Sequence, residues 1–154
     1  MSQLDDLLRQ HDEQKKKAAI AQRNNWQEES EFRDAFKKLL RDTIHDAMIE
    51  HCRIMRSHDY NAKMIRDRIE SRYPYERYLF CVSNKQAVIS FVGNYEVRKV
   101  CITVECSASD FSNGTSTEEQ IKKTEEQYEL TAVTKALIDE LVFSTMKEFL
   151  PPIQ

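Results

Sequence analysis

Apolar residues recur at spacings of three and four between residues 28 and 57. Phe32, Phe36, Leu39, Leu40, Ile44, Ala47, Met48, His51, Ile54 and Met55 fall on one stripe, which predicts an amphipathic helix over 28–57. Glu28 and Glu29 suit the positive end of that helix, and Ser57-His58-Asp59 suits its stop. Upstream, residues 3–25 have high helix propensity but a thin apolar face. Leu4, Leu7 and Leu8 begin it, and Ala18, Ala19 and Ile20 continue it weakly. Such a helix is marginal alone. Asn24-Asn25 is expected to break it, so the chain divides into a helical arm that can flex, residues 1–27, and a single domain, residues 28–154.

After residue 60 the period shortens to two. Residues 60–70, YNAKMIRDRIE, fit a helix and a strand alike. Three further strands follow, so we read this segment as their edge, where arginines discourage unwanted pairing. Residues 77–83 and 86–92 are strands joined by a turn at Asn84-Lys85, and 86–92 is apolar on both faces, as a central strand should be. Gly93-Asn94 turns the chain again. In 97–106, Val100, Ile102, Val104 and Cys106 face one way and Lys99, Cys101, Thr103 and Glu105 the other.

Two start signals compete between residues 116 and 131. Ser116-Thr117-Glu118-Glu119 resembles a capping box, which favours one long helix. Residues 118–127, however, carry Ile121 as their only apolar side chain before Tyr128 and Leu130 restore the pattern. We therefore expect an exposed loop over 108–122 and a candidate last strand over about 124–130. Thr131 then caps a helix over 132–149 that Pro151-Pro152 ends. The expected fold is α+β: a long N-terminal helical arm, a four-stranded, mostly antiparallel sheet, and a C-terminal amphipathic helix packed on one sheet face.

Composition narrows the class. The chain has 154 residues, a net charge of −3 and only two glycines, which excludes a glycine-rich phosphate loop and argues against a general polyanion binder. No apolar run is long enough for a membrane span, and the charged N-terminus has no signal-peptide core. We expect a cytoplasmic protein with reduced cysteines. Asn113-Gly114-Thr115 is then a turn rather than a glycosylation site.

Candidate chemistry is sparse. His45, His51, Cys52 and His58 lie close in sequence, but on a helix they do not converge as zinc ligands must, so neither metal nor cofactor is expected. Cys101, with Lys99 nearby, could form a thiolate nucleophile, yet nothing sets a base beside it. The acidic pairs lie in polar stretches that leave them solvated. We expect no enzymatic activity. Arg53, Arg56, Lys63, Arg66, Arg68 and Arg72 cluster near Tyr60, Tyr73 and Tyr75, which could meet phosphates and bases, although Asp59, Asp67 and Glu70 dilute the charge. The excess of helix points to self-association as a homodimer. The expected function is a protein-interaction or accessory module that dimerises through its arm and presents the sheet or the 108–122 loop to a protein partner. A nucleic-acid-binding accessory protein is the alternative. No motif is specific enough to carry a family resemblance.

Overall fold

The computed structural model describes residues 2–68, 72–110 and 117–150. The fold is α+β, and the chain divides into two compact units, Met1–Phe32 and Arg33–Gln154. Helix α1 spans Gln3–Leu39. Ser2 caps it, its Oγ accepting from the Asp5 N–H at 3.1 Å, and Asp5 and Asp6 sit in the first turn, where the helix end favours negative charge. The expected break at Asn24-Asn25 is absent: α1 passes through both residues. Asparagine costs a helix only about 0.7 kcal/mol or less relative to alanine, too little to stop so long a run.

The chain then makes a π-helical turn, Leu40–Ile44, before α2, His45–Ser57. Phe36, Leu40, Ile44, Met48 and Cys52, four apart throughout, are all fully buried. In a regular α-helix a strict spacing of four drifts by about 40° per step, so the last residue would leave the core face. The wider π turn absorbs part of that drift. Helix α2 stops where Asp59 takes a left-handed φ of 65° and the Tyr60 N–H donates to the Met55 carbonyl at 3.1 Å.

Five strands follow: β1 Asn61–Asp67, β2 Tyr75–Val82, β3 Lys85–Asn94, β4 Lys99–Asp110 and β5 Thr117–Tyr128. They lie in the order β1-β2-β3-β4-β5, each pair antiparallel. The sheet thus has five strands, not the expected four. The expected loop over 108–122 is overturned at both ends, because β4 continues to Asp110 and β5 begins at Thr117. Its middle lies outside the described residues, as do Ser116 of the capping box, the Asn113-Gly114-Thr115 turn and Pro151-Pro152. β5 is an edge strand whose residues 119–127 are all exposed. It is held by its backbone ladder to β4, so apolar alternation could not reveal it. Charge on such an edge discourages further pairing.

The turns also move. Ser83-Asn84, with φ 55° at Ser83, closes the first hairpin one residue earlier than expected. Gly93 and Asn94 stay in β3, and Tyr95–Arg98 makes the second turn, with φ 54° at Arg98.

Two bulges bracket the sheet. On β1, Met64 pairs with Tyr78 and Arg66 with Arg77, leaving Ile65 extra. On β5, Lys122 pairs with Cys106 and Gln120 with Ser107, leaving Ile121 extra. β5 also holds a repeat, Thr117-Glu118-Glu119-Gln120 and Thr124-Glu125-Glu126-Gln127. A seven-residue offset would put the two copies in opposite phase on a regular strand. The bulge at Ile121 puts them in the same phase.

One sheet face is covered by helices. Tyr78, Phe80, Ile89, Phe91 and Val100 on that face are fully buried. α2 packs on β1 and β2, and α3, Lys135–Phe149, reaches β4 and β5, where Lys122 Nζ meets Glu148 at 3.0 Å. Thr134, not Thr131, caps α3: its Oγ1 accepts from the Leu137 N–H at 3.2 Å. Thr131 belongs to a short 3-10 turn, Leu130–Ala132.

Candidate functional site

Alternation gives the sheet a second face. Across it run the paired residues Arg66, Arg77, Ser90, Thr103 and Glu125, and beside them Lys63, Leu79, Val88, Glu105 and Lys123. Their side chains border an open depression of about 280 Å³ lined by Arg77, Val88, Ser90, Val92, Thr103, Glu105, Lys123 and Glu125.

The basic end of this face is organised around Tyr75. The Arg77 guanidinium lies 5.5 Å from the Tyr75 ring centroid. The phenol is held below its ordinary pKa, chiefly by a hydrogen bond from Arg66, with a further one from Arg68. Nearby, Tyr73 and Tyr95 meet edge to face at 5.1 Å. Arg33 lies 5.8 and 5.6 Å from their centroids, and Arg72 lies 5.5 Å from that of Tyr73. Each cation gains from the ring quadrupole.

The six basic residues singled out in the sequence therefore separate. Lys63 and Arg66 share the open face, with Arg68 at the end of β1, and Arg72 joins the tyrosine pair. Arg53 and Arg56 stay on α2. Arg53 Nε donates to Glu50 at 3.1 Å, and Arg56 donates to the Ala62 carbonyl at 3.1 Å, tying α2 to β1. Arg77 and Arg33 were missed. Arg77 enters only through strand register, and Arg33 lies far away in sequence.

On the covered face a carboxylate is buried. Glu76 on β2 is fully buried and accepts a hydrogen bond from the equally buried Tyr78 hydroxyl. His45, the residue after the π turn, brings Nδ1 to 3.4 Å from Glu76 Oε1 and 3.5 Å from the Tyr78 hydroxyl. The other helix histidines go elsewhere. His51 Nε2 lies 2.7 Å from Asp139 Oδ1 on α3, His58 follows the helix end, and Cys52 is buried. Among the described residues, no group of three or more His, Cys, Asp or Glu side chains is placed to hold a metal ion.

Cys101 lies on the open face, but its thiol is raised above its ordinary pKa by burial and then by Glu125, whose Oε1 accepts from Sγ at 3.1 Å. That is the opposite of thiolate activation. Burial raises Cys52, Cys81 and Cys106 as well.

In the N-terminal unit every residue from Gln3 to Glu28 is exposed. Leu4, Leu7, Leu8 and Trp26 are 63%, 62%, 53% and 65% exposed. At 100° per residue these four and Ala18 fall within about 100° of the helix circumference. Among the described residues, no helix is long and apolar enough to cross a membrane. The chain matches no family model, no curated protein and no solved structure.

Proposed function

We propose that the protein is a non-enzymatic, cytoplasmic interaction module that self-associates through its N-terminal helix and leaves its sheet for a further partner. The observation that carries this is the exposed row Leu4, Leu7, Leu8 and Trp26. A helix with an exposed apolar stripe is stabilised by covering that stripe. A second copy has the right charge order. Antiparallel pairing centred on His11 sets Asp5 against Lys17, Asp6 against Lys16 and Arg9 against Glu13 and brings Leu4 to Ala18, with Trp26 beyond the paired stretch. Light scattering tests this. The full-length chain is expected to be a dimer, and Leu4→Ser/Leu7→Ser/Leu8→Ser and a chain lacking residues 1–27 are expected to be monomers. A monomeric parent rejects the proposal.

One observation favours a second reading, nucleic-acid binding. Arg66, Arg68 and Arg77 gather around Tyr75, and Lys63 lies on the same open face. Salt-dependent association with nucleic acid at low ionic strength would support it.

A further inference from the structure

We infer that the paired N-terminal helices form a pH-sensitive contact, in which the His11 side chains of two copies meet on the twofold axis and part the copies when they gain charge; the inference rests on the self-association proposed above. At about 100° per residue, His11 and Lys15 fall inside the stripe marked by Leu4, Leu7, Leu8 and Ala18. Both are exposed. His11 lies midway between Leu4 and Ala18 in sequence and near the middle of the stripe in angle.

The order of charges along the helix sets the direction of pairing. Up to Gln14 the helix carries the carboxylates Asp5, Asp6, Asp12 and Glu13 against Arg9 alone. From Lys15 to Arg23 it carries Lys15, Lys16, Lys17 and Arg23 and no carboxylate. Parallel copies would set like charge against like. Antiparallel copies set the acidic stretch of one against the basic stretch of the other, and such complementarity fixes register. Pairing centred on His11 then places that residue against itself. Each His11 faces the second copy's His11 at its own level, with that copy's Leu7, Leu8, Gln14 and Lys15 one turn to either side. Lys15 also follows His11 by one turn on the same helix, so two ammonium groups flank the imidazole pair. The neighbouring carboxylate, Asp12, is turned about 100° from His11 and stands at the margin of the stripe.

Two neutral imidazoles fit this seam, since one can donate its N–H to the other. Two imidazolium ions repel each other and the lysines, and each loses water on pairing. Association therefore releases protons. It is strongest above the range in which histidine charges, about pH 6.5, and weakens as pH falls through that range. Carboxylates titrate near pH 4 and lysine near pH 10.4, so the ion pairs that fix the register keep their charges throughout. The other three histidines, His45, His51 and His58, lie in the second unit, so one substitution isolates the effect.

Sedimentation velocity of the full chain over a range of concentrations, at constant ionic strength, tests this. Between about pH 7.5 and 5.5 the dimer dissociation constant is expected to rise at least about tenfold, the effect of one proton over one pH unit below the histidine range. His11→Gln stays polar and cannot charge, and it should dimerise equally at both values. A parent dimer indifferent to pH, or a His11→Gln dimer that weakens as much as the parent, overturns the inference and leaves self-association standing. A chain that is monomeric at every pH overturns both.

Discussion

Replacing Tyr78 by Phe removes one oxygen from the centre of the core and tests what that oxygen does. The ring stays: it is fully buried and meets Phe91 edge to face at 6.2 Å. The hydroxyl's bond to the buried Glu76 carboxylate is lost, together with its longer approach to His45 at 3.5 Å. A hydrogen bond contributes about 1 kcal/mol net, and removing one donor from a buried acceptor costs about 1–3 kcal/mol. No cavity is opened beyond one atom, so the expected loss is about 2 kcal/mol. With a urea slope near 2 kcal/mol per M, the unfolding midpoint should fall by about 1 M at unchanged slope. Far-ultraviolet circular dichroism is the suitable probe, because the only tryptophan, Trp26, lies in the N-terminal unit. A Tyr78→Phe chain within about 0.5 kcal/mol of the parent would refute the claim that this hydroxyl stabilises the buried carboxylate.

Three further outcomes are expected. Thr134→Ala removes the side-chain cap of α3 and should cost about 1 kcal/mol in urea unfolding, whereas Thr131→Ala should cost little. Cys101 should react with iodoacetamide more slowly than a free model thiol, and Glu125→Gln should speed it, since that carboxylate helps to raise the thiol; mass spectrometry of timed digests reads both. Asp139 is held below its ordinary carboxylate pKa by Lys135 first and His51 second. A lowered folded value means that its stabilisation is present above the unfolded pKa of about 4 and is lost as pH falls through the folded one. Asp139 is partly exposed, so Asp139→Asn should cost only about 0.5 kcal/mol at pH 7, a gap that closes on acidification below pH 4 in paired denaturation curves.

What could be read from the chain depended on which force shaped each element. Burial writes a period, and wherever burial dominates the pattern was plain: the stripe from Phe32 to Met55, the meander from β2 to β4, and Ile138, Val142, Met146 and Phe149 on α3. β5 owes its place to backbone pairing along an exposed edge, which leaves no apolar period, so its first half reads as a loop. The π turn leaves a trace in the chain, the unbroken spacing of four from Phe36 to Cys52. The basic face was half legible. Lys63, Arg66, Arg68 and Arg72 stood out as a run, but Arg77 joins them only through the pairing of β1 with β2. Glu76 gave no signal, because nothing local distinguishes a buried carboxylate from a solvated one beside Tyr75 and Arg77.

The two extra isoleucines have a consequence for how this sheet can vary in length. Deleting one residue from a paired strand ordinarily reverses every side chain beyond the cut, exchanging core for surface. Ile65 and Ile121 are the exceptions. Each is surplus to the ladder, and each is exposed, at 41% and 56%. Loss of either would join Met64 to Arg66, or Gln120 to Lys122, in regular alternation with the partner strand unchanged. Single-residue deletions should be tolerated at these two sites and rejected elsewhere in β1 and β5, so the edge strands of this sheet can shorten by one residue without exchanging inside for outside.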